Sequence, residues 1–389
     1  AFGFTAAGIN GKKKGSSVAI AALSASDNVL KNELKSIFYQ DFPHVEHDGK
    51  APSREEEYAR KQLKESIKWD EAKGKYSCGL PFKFGREKTA ELLNSVDSSS
   101  MAKNRMRSLK RNLEKNPAKK AKAFSEMAKF LEKGRCEKLT KEEIKRQEDE
   151  GLPVWHLPCH IVEQKGKHRF CHDARASAGG ICPNELLIGG LNLMTPMLDP
   201  INNLRQYLYA FGTDIEGFFH NILVDIKDKG IFRFWFYKDE KMTELELFNF
   251  IAHIFGSSAS PTICSFVLIE HAHRIRDVIS VKAFEIISRF FYVDDGTGGS
   301  DKWEECKDLC SELKKAMRLG GFTLAKWKFS HKAMGTQVRK TFEDEEELER
   351  RRNLPRTTTG EHKEQAGEEN SSNAQNDDEV PELIDVLEE

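Results

Sequence analysis

The chain has 389 residues, of which 39% are hydrophobic and 32% are charged, and its formal net charge is -1. This length predicts two or three domains with a sizeable hydrophobic core, and it excludes a chain that is disordered throughout. No apolar run approaches the roughly 18 residues of a membrane span, so we expect no membrane partner.

The start of the chain and its cysteines indicate a compartment. The sequence begins at Ala1 without Met and without a charged and then apolar leader, which predicts a piece of a longer protein that is not secreted. The eight cysteines include no C-x-x-C pair, which favours reduced thiols.

Charge is distributed unevenly along the chain. Residues 341–389 hold 17 Asp and Glu against five Lys and Arg, a net charge of -12, whereas the rest of the chain has a net charge of +11. Within that basic body, residues 101–150 hold 16 Lys and Arg against nine Asp and Glu. Cations on one shared face would bind a polyanion such as nucleic acid; otherwise they form an ordinary solvated helical surface.

In chain order, the first elements are a leader and a capped helix. Residues 1–50 are rich in Gly, Ser and Lys, which predicts a loosely structured leader. Ser53 with Glu56 three residues later is a capping-box signature, and it predicts a helix that continues to about Trp69.

A helical segment follows. Apolar residues from about Asp97 to Arg146 have helical spacing, and Pro117 divides the segment into two helices. Together with the capped helix, this segment predicts a helical, basic connector over residues 51–150.

From residue 151 onward, strands and helices mix without strict alternation, which predicts an α+β fold over residues 151–336. The predicted strands are 154–162, 167–172, 209–214, 229–237, 288–295 and 322–328. The predicted helices are 261–275 and 302–319, and segment 246–255 is open between strand and helix. Glycines at 296–299 predict a turn, and the acidic composition of residues 337–389 predicts a disordered tail.

Carboxylates follow two of the apolar strands. Asp214 ends one of them, and the adjacent pair Asp294 and Asp295 ends another. Uncompensated charge is costly beside Phe, Tyr and Val, so three acids converging on one edge would need a cation. Two Mg²⁺ ions about 3.5 to 4 Å apart can activate an attacking hydroxyl and stabilise the departing phosphate oxygens. The alternative is an ordinary acidic hairpin tip.

The order of the motifs favours the metal site. Asp214 is followed by GSSASP at 256–261, by YVDD at 292–295 and by GFTLAKWK at 321–328. This order resembles the palm motifs of reverse transcriptases. More narrowly, WHLPCHIVEQKGKHRFCHDARA, DIEGFFHNI, FGSSASP and FTLAKW resemble the polymerase of Bel/Pao long-terminal-repeat retrotransposons, over about residues 50–331.

The resemblance implies a right-hand polymerase with fingers and palm that synthesises DNA on an RNA or DNA template. Its partners would be a primed template, a deoxynucleoside triphosphate and components of a parent polyprotein or particle. Two Mg²⁺ ions, or Mn²⁺, would be the cofactors. Asp214 and Asp294 would be the main ligands and Asp295 a weaker one. The implied location is a cytoplasmic retrotransposon particle or the nucleus.

The resemblance also implies roles for five residues outside the carboxylates. Lys167 and Arg169, on a fingers hairpin, would hold the triphosphate. Phe219 would lie under the sugar and exclude a 2′-hydroxyl, and Gly256 would allow close approach to the base pair and template. Lys326 would act near the pyrophosphate as a general acid or electrostatic stabiliser. The ordinary alternatives are exposed cations on a turn, a core aromatic and a surface lysine.

The sequence departs from the family in several places. Phe255 stands where many retroviral enzymes have Gln, and residues 328–331 depart from the pattern after Lys-Trp. The sequence contains no recognisable thumb, ribonuclease H constellation, D-T-G protease motif or integrase zinc module. The alternative function is therefore a catalytically inactive relic that binds nucleic acid. A zinc site is a further alternative, with six candidate ligands: His156, Cys159, His160, Cys171, His172 and Cys182.

Overall fold

The computed structural model describes residues 53–164, 167–189 and 197–353. The predicted leader lies outside these residues, and so does the acidic sequence after residue 353. The chain forms two compact units, Ala1–Gly335 and Thr336–Glu389. In the second unit, the described residues belong to a single helix.

Eleven α-helices lie in the described ranges. They are α1 (Arg54–Ser66), α2 (Gly85–Asn94), α3 (Ser98–Lys115), α4 (Pro117–Glu132), α5 (Lys141–Asp149), α6 (Pro183–Leu186), α7 (Leu198–Arg205), α8 (Ser260–Arg274), α9 (Val281–Arg289), α10 (Trp303–Arg318) and α11 (Lys332–Asn353).

Thirteen strands accompany them in the same ranges. They are β1 (Lys68–Asp70), β2 (Lys75–Cys78), β3 (Cys136–Lys138), β4 (His156–Leu157), β5 (Cys159–Gln164), β6 (Lys167–His172), β7 (Tyr209–Ile215), β8 (Leu223–Val224), β9 (Arg233–Tyr237), β10 (Leu245–Phe250), β11 (Phe291–Tyr292), β12 (Asp295–Ser300) and β13 (Leu324–Phe329). The mixture of helices with mostly antiparallel strands confirms the α+β class.

Sequence signals explain where the first helices begin. The capping box at α1 is confirmed, because the Ser53 hydroxyl accepts from Glu56 N at 3.2 Å and the Glu56 carboxylate accepts from Ser53 N at 2.7 Å. Asn116 caps α4 through its side chain, and Pro117 occupies the first turn, so the predicted break between α3 and α4 is also confirmed.

The sheet that carries the predicted carboxylates has the order β11-β12-β7-β13, and all its strands are antiparallel. We call it the carboxylate sheet. Helices α7, α9 and α10 pack against its strand β12. This packing surrounds the central strands with apolar side chains and leaves their ends to carry polar groups.

A second sheet, with the order β3-β10-β9-β4, holds an aromatic core. Phe234, Phe236 and Phe250 are almost completely buried. Phe130 of α4 lies 5.4 Å from Phe250 between ring centroids, and Phe170 of β6 lies 5.3 Å from Phe236. Contacts of this kind fix the two basic helices α3 and α4 against the sheet and the β5–β6 hairpin.

Four sequence predictions about elements need correction or completion. The first helix ends at Ser66 rather than near Trp69, because Trp69 belongs to β1. Segment 246–255 contains the strand β10. Residues 337–353, predicted to be disordered, belong to α11. The predicted turn at 296–299 is instead part of strand β12.

The glycines of β12 have a packing role rather than a turn role. A Cβ on Gly298 would lie 2.5 Å from the ring of Phe211, and a Cβ on Gly296 would overlap the ring of Phe291. Glycine in a strand often marks such close approach of a neighbour. The aromatic rings around the sheet therefore explain this glycine run.

None of the helices in the described ranges is long and apolar enough to cross a membrane.

Candidate functional site

Asp214 lies between two neighbouring strands of the carboxylate sheet. In the register of β7, its Cα partner on β12 is Asp295 and its partner on β13 is Ala325. The flanking residues Thr213 and Ile215 are buried, whereas the Asp214 side chain is 16% exposed. The alternation of the strand therefore directs Asp214 away from the apolar core and towards one surface of the sheet.

Asp294 reaches the same edge through a tight hairpin. The two residues between β11 and β12 are Val293 and Asp294, and Val293 has a φ of 58°. Positive φ at the first position of a two-residue hairpin normally selects glycine, so a β-branched residue is strained there. The Asp294 carbonyl accepts a hydrogen bond from Ile215 N at 2.9 Å. The turn thus ties the Asp294 backbone to the end of β7.

The three carboxylates, which we call the carboxylate edge, repel one another. Burial raises the pKa of Asp294 above its ordinary value, and the charges of Asp214 and Asp295 raise it further. Burial also raises the pKa of Asp295, and Asp214 contributes in the same direction. The folded chain therefore holds more negative charge at this edge than its own cations balance.

Lys326 is the cation that contacts the edge. Its Nζ lies 3.0 Å from Oδ2 of Asp214. The register of β13 shifts between Ala325 and Lys328, and Lys326 has a φ of 51° in this irregularity. A bulge redirects side chains that a regular strand would send elsewhere. The ammonium group of Lys326 is brought to Asp214 by this backbone, which a sequence pattern does not reveal.

The donor set fits a divalent cation only as a partial shell. In the part of the chain that the structure describes, no group of three or more His, Cys, Asp or Glu is arranged to hold a metal ion. Mg²⁺ is commonly bound by one or two carboxylates together with substrate phosphates and water. Asp214 and Asp294, with Asp295 beside them, match that requirement in chemistry and in their excess negative charge.

Phe219 lies in a 3₁₀ turn, Phe218–Asn221, that follows β7 closely. It is buried, with 8% exposure, and its ring centroid is 4.6 Å from that of Phe255. Phe255 itself is 59% exposed. The ring of Phe219 therefore packs against that of the exposed Phe255, and the contact of Phe219 with a sugar stays a prediction.

Gly256 has a positive φ of 102°, and a Cβ there would lie 2.9 Å from the carbonyl oxygen of His172. Only glycine combines this conformation with such close approach. Asn184, which the sequence did not single out, donates to the Gly256 carbonyl at 2.9 Å and accepts from Ser258 N at 2.9 Å. The residues next to Asn184 in the sequence do not predict these hydrogen bonds, because its partners are more than 70 residues away.

Lys167 and Arg169 lie in β6, which pairs with β5 in an antiparallel hairpin. The hairpin itself agrees with the predicted extended segments. Their side chains lie outside what the structure describes, so their role in triphosphate binding stays a prediction.

Helix α3 presents its cations in a row. Four of them follow one another at intervals of four residues, and we call them the cationic row: Lys103, Arg107, Arg111 and Lys115. Successive members are about 6 Å apart along the helix axis. Arg107 donates to Asn104 Oδ1 at 2.6 Å, and Arg111 donates to Ser108 Oγ at 3.2 Å.

No member of the cationic row forms an ion pair with a carboxylate of the described residues. Lys103 lies over the ring of Trp235, with Nζ 4.2 Å from the centroid, and the others are exposed. Like charges at this spacing destabilise a helix. Four of the 16 cations of residues 101–150 therefore share one face of a helix.

The zinc alternative finds no support among its described candidates. His172 lies among aromatic rings, 4.5 Å from Phe250, and burial lowers its pKa to about 3. His156 bonds to the Ser98 hydroxyl through Nδ1 at 3.0 Å. These histidines act as neutral core residues in the described structure.

Comparison of the chain with protein-family models and with curated proteins gave no match in either case.

Proposed function

We propose that the chain is the fingers and palm of an RNA-directed DNA polymerase of the reverse transcriptase type, related to the Bel/Pao retrotransposon enzymes. The observation that carries the proposal is the convergence of Asp214 and the Asp294–Asp295 pair on one strand edge. These residues are 80 positions apart in sequence, and the register of β7 and β12 brings them together. The order of the motifs supports the same conclusion.

In this proposal the carboxylates and Lys326 have different roles. Asp214 and Asp294 would hold Mg²⁺ or Mn²⁺, with Asp295 as a weaker ligand, and the ions would supply charge stabilisation during transfer of a nucleotide to the primer 3′-hydroxyl. Lys326, held 3.0 Å from Asp214, would place a proton and a positive charge near the departing pyrophosphate. Phe219 and Phe255 would limit the space beside the sugar.

The cationic row of α3 supports a nucleic-acid template as the partner. Arg107 and Arg111 carry guanidinium groups that no described carboxylate neutralises, and Asn104 and Ser108 add neutral polar groups beside them. Contacts of Arg, Lys, Asn and Ser with phosphate and sugar form the larger part of protein–nucleic acid hydrogen bonding.

The experiment is primer extension on an RNA template with Mg²⁺ and four deoxynucleoside triphosphates. We expect the unmodified chain to extend the primer and Asp214→Asn to be inactive while binding the same template. The matched control is Asp277→Asn, which changes an exposed carboxylate away from the sheet.

The main alternative is a catalytically inactive nucleic-acid-binding protein. The ion pair between Lys326 and Asp214 is the observation that favours it, because the ammonium group takes up the carboxylate that the polymerase would need for a metal ion. Template binding without any primer extension by the unmodified chain would establish this alternative and reject polymerase activity.

A further inference from the structure

Arg135 lies against the loop that joins Asp214 to Phe219. It follows α4 and directly precedes β3, and its Nη2 would be 2.7 Å from a Cβ placed on Gly217. Gly217 has a φ of 60°. The backbone conformation favours glycine at this position, and the absence of a side chain leaves room for the guanidinium group.

This guanidinium group lacks the partner that such a group usually has. Arg135 is half-buried, yet among the residues that the structure describes its side chain has no hydrogen bond and no ion pair. The adjacent acid, Glu216, instead pairs with Lys133 at 3.5 Å. Arginine has five N–H donors in a planar fork that suits carboxylate or phosphate oxygens. The donors of Arg135 are thus left for a group from outside the described chain.

Lys75 lies on β2, beside the segment that follows α10. Its Cγ would lie 3.6 Å from a Cβ on Gly321, and nearby the carbonyl of Thr323 accepts from Glu216 N at 2.9 Å. The ammonium group of Lys75 is half-buried and also has no hydrogen bond or ion pair with another described residue. Two half-buried cations without an ion pair in the described chain are therefore present: Arg135 beside Gly217, and Lys75 beside Gly321, two residues before the Thr323 that bonds to Glu216.

The titration behaviour of the neighbourhood agrees with an excess of positive charge. Burial lowers the pKa of Lys75, and the charge of Arg135 lowers it further. Burial lowers the pKa of His220 to about 4, with Arg135 and Lys75 both acting in the same direction. Burial lowers the pKa of Arg135 as well, against the opposing effect of Glu216.

We propose that Arg135 and Lys75 form a binding site for the phosphate groups of the incoming nucleotide. The existence of an anion site rests on the two unpaired cations. Its assignment to a nucleoside triphosphate rests on the proposed function, because Gly217 lies between the proposed metal ligand Asp214 and the proposed sugar contact Phe219. Phosphates that connect a metal-bound oxygen to the sugar would pass this loop, and Arg135 can bind them bidentately.

The test measures binding and catalysis separately. Binding of inorganic triphosphate and of dATP is measured by calorimetry for the unmodified chain, Arg135→Gln, Arg135→Lys and Lys75→Gln. Removing a charged hydrogen-bonding group is expected to weaken binding about 10- to 100-fold for Arg135→Gln, with a smaller loss for Arg135→Lys. The matched control is Lys138→Gln, since Lys138 is an exposed cation of β3 already paired with Glu246 at 2.6 Å.

Stability and kinetic measurements distinguish a role of Arg135 in binding from a role in folding. Denaturant unfolding is expected to show Arg135→Gln at least as stable as the unmodified chain, because a half-buried unpaired charge is removed. In primer extension, the same variant should raise KM for the nucleotide more than it lowers kcat. Triphosphate binding that is absent in the unmodified chain, or that is equal in Arg135→Gln and Lys138→Gln, would overturn the site.

Failure of the two proposals can be told apart. Triphosphate binding that depends on Arg135 without primer extension would uphold the anion site and reject the polymerase. Primer extension with an unchanged nucleotide KM in Arg135→Gln would uphold the polymerase and reject the role of Arg135.

Discussion

The carboxylate edge and the cationic row both concentrate charge of one sign, but different levels of structure assemble them. Asp214 and Asp294 meet through the pairing of β7 with β12 and a strained hairpin, and both are partly removed from water. Arg107 and Arg111 are neighbours simply because an α-helix repeats every 3.6 residues, and both are exposed. At the edge, the carboxylates that repel one another come from distant parts of the sequence and are partly buried, so the repulsion is strong. On the helix, the repelling cations are neighbours in sequence and are exposed, so the repulsion is weak.

The two regions differ in how much unfavourable charge a bound ligand of opposite sign would relieve. Water screens the charges of the row, so each like-charge pair there costs only about 0.2 to 0.5 kcal/mol. At the edge, burial and mutual repulsion raise the pKa of both Asp294 and Asp295. A cation that binds the edge therefore relieves more unfavourable charge than a phosphate that binds the row.

The largest expected effect comes from Asp294→Asn, which separates catalysis from stability. Loss of a proposed metal ligand should remove several kcal/mol of transition-state stabilisation, so primer extension falls at least about 100-fold. Stability should rise slightly, by less than about 1 kcal/mol, because the half-buried carboxyl is screened by water.

The sign of this stability change follows from the pKa direction. Burial raises the pKa of Asp294 in the folded state, so its ionised form destabilises the fold at neutral pH and this effect disappears as pH falls through the raised pKa. Urea unfolding at pH 7 and again at pH 4 should show a larger advantage of Asp294→Asn at pH 7 than at pH 4. A variant less stable than the unmodified chain at pH 7 would contradict the repulsion.

Lys326→Met is expected to have the next largest effect, with the opposite sign on stability. Removing the ammonium group leaves Asp214 without the contact at 3.0 Å, so the three acids lose their nearest cation and the fold is destabilised. As a proposed general acid, Lys326 should contribute about 100-fold or more to primer extension. Lys326→Arg keeps the charge and serves as the control.

Stability and rate together decide this prediction. Lys326→Arg should restore the stability lost in Lys326→Met but little of the rate, because arginine does not release its proton. Equal rates in the unmodified chain and Lys326→Met would show that the ion pair is only structural.

The third prediction concerns the pH dependence of stability. It arises from buried histidines that remain neutral, unlike the charged residues of the carboxylate edge and the cationic row. Burial lowers the pKa of His172 to about 3 and that of His253 to about 4. The unfolded chain binds protons below about pH 6.5 while the folded chain does not, so stability falls as pH decreases from 6.5 towards 4. Each histidine contributes a slope on the order of 1 kcal/mol per pH unit.

His172→Phe tests this contrast directly. Nε2 of His172 is buried without a hydrogen-bond partner among the described residues, so an apolar ring should be tolerated among Phe234 and Phe250. The pH slope of the unfolding free energy between 6.5 and 4 should decrease in the variant. An unchanged slope in His172→Phe would refute the neutral state of His172.

The same contrast explains what the sequence could predict. The capping box at Ser53, the break at Pro117 and the cationic spacing of α3 are local patterns, and the structure has them. The glycine run at 296–299 was wrongly predicted to be a turn, because the rings of Phe211 and Phe291 that require it lie elsewhere in the chain.

Within the candidate site, the position of Asp214 in a strand followed from sequence. The prediction that Asp294 and Asp295 end a strand was wrong, because Asp294 lies in the hairpin turn and Asp295 begins β12. The contacts of the acids were not predictable either. The bulge that brings Lys326 to Asp214 and the cover of Phe219 by Phe255 depend on register and loop packing. The sequence did not single out Arg135 for the same reason, since Gly217, which it contacts, is more than 80 residues away.

The smallest expected effect is on the cationic row, where charges are exposed and screened. Replacing Arg107 and Arg111 together by Gln should remove two phosphate contacts, so the slope of log binding constant against log salt concentration on single-stranded RNA should become shallower by about 1.4. Binding of a labelled single-stranded RNA by fluorescence anisotropy at several salt concentrations measures this slope. The control replaces Lys61 and Lys145 by Gln, which changes the net charge equally but removes cations that already pair with Glu65 and Asp149. Equal slopes in the two double variants would mean that net charge, rather than the row on α3, attracts the nucleic acid.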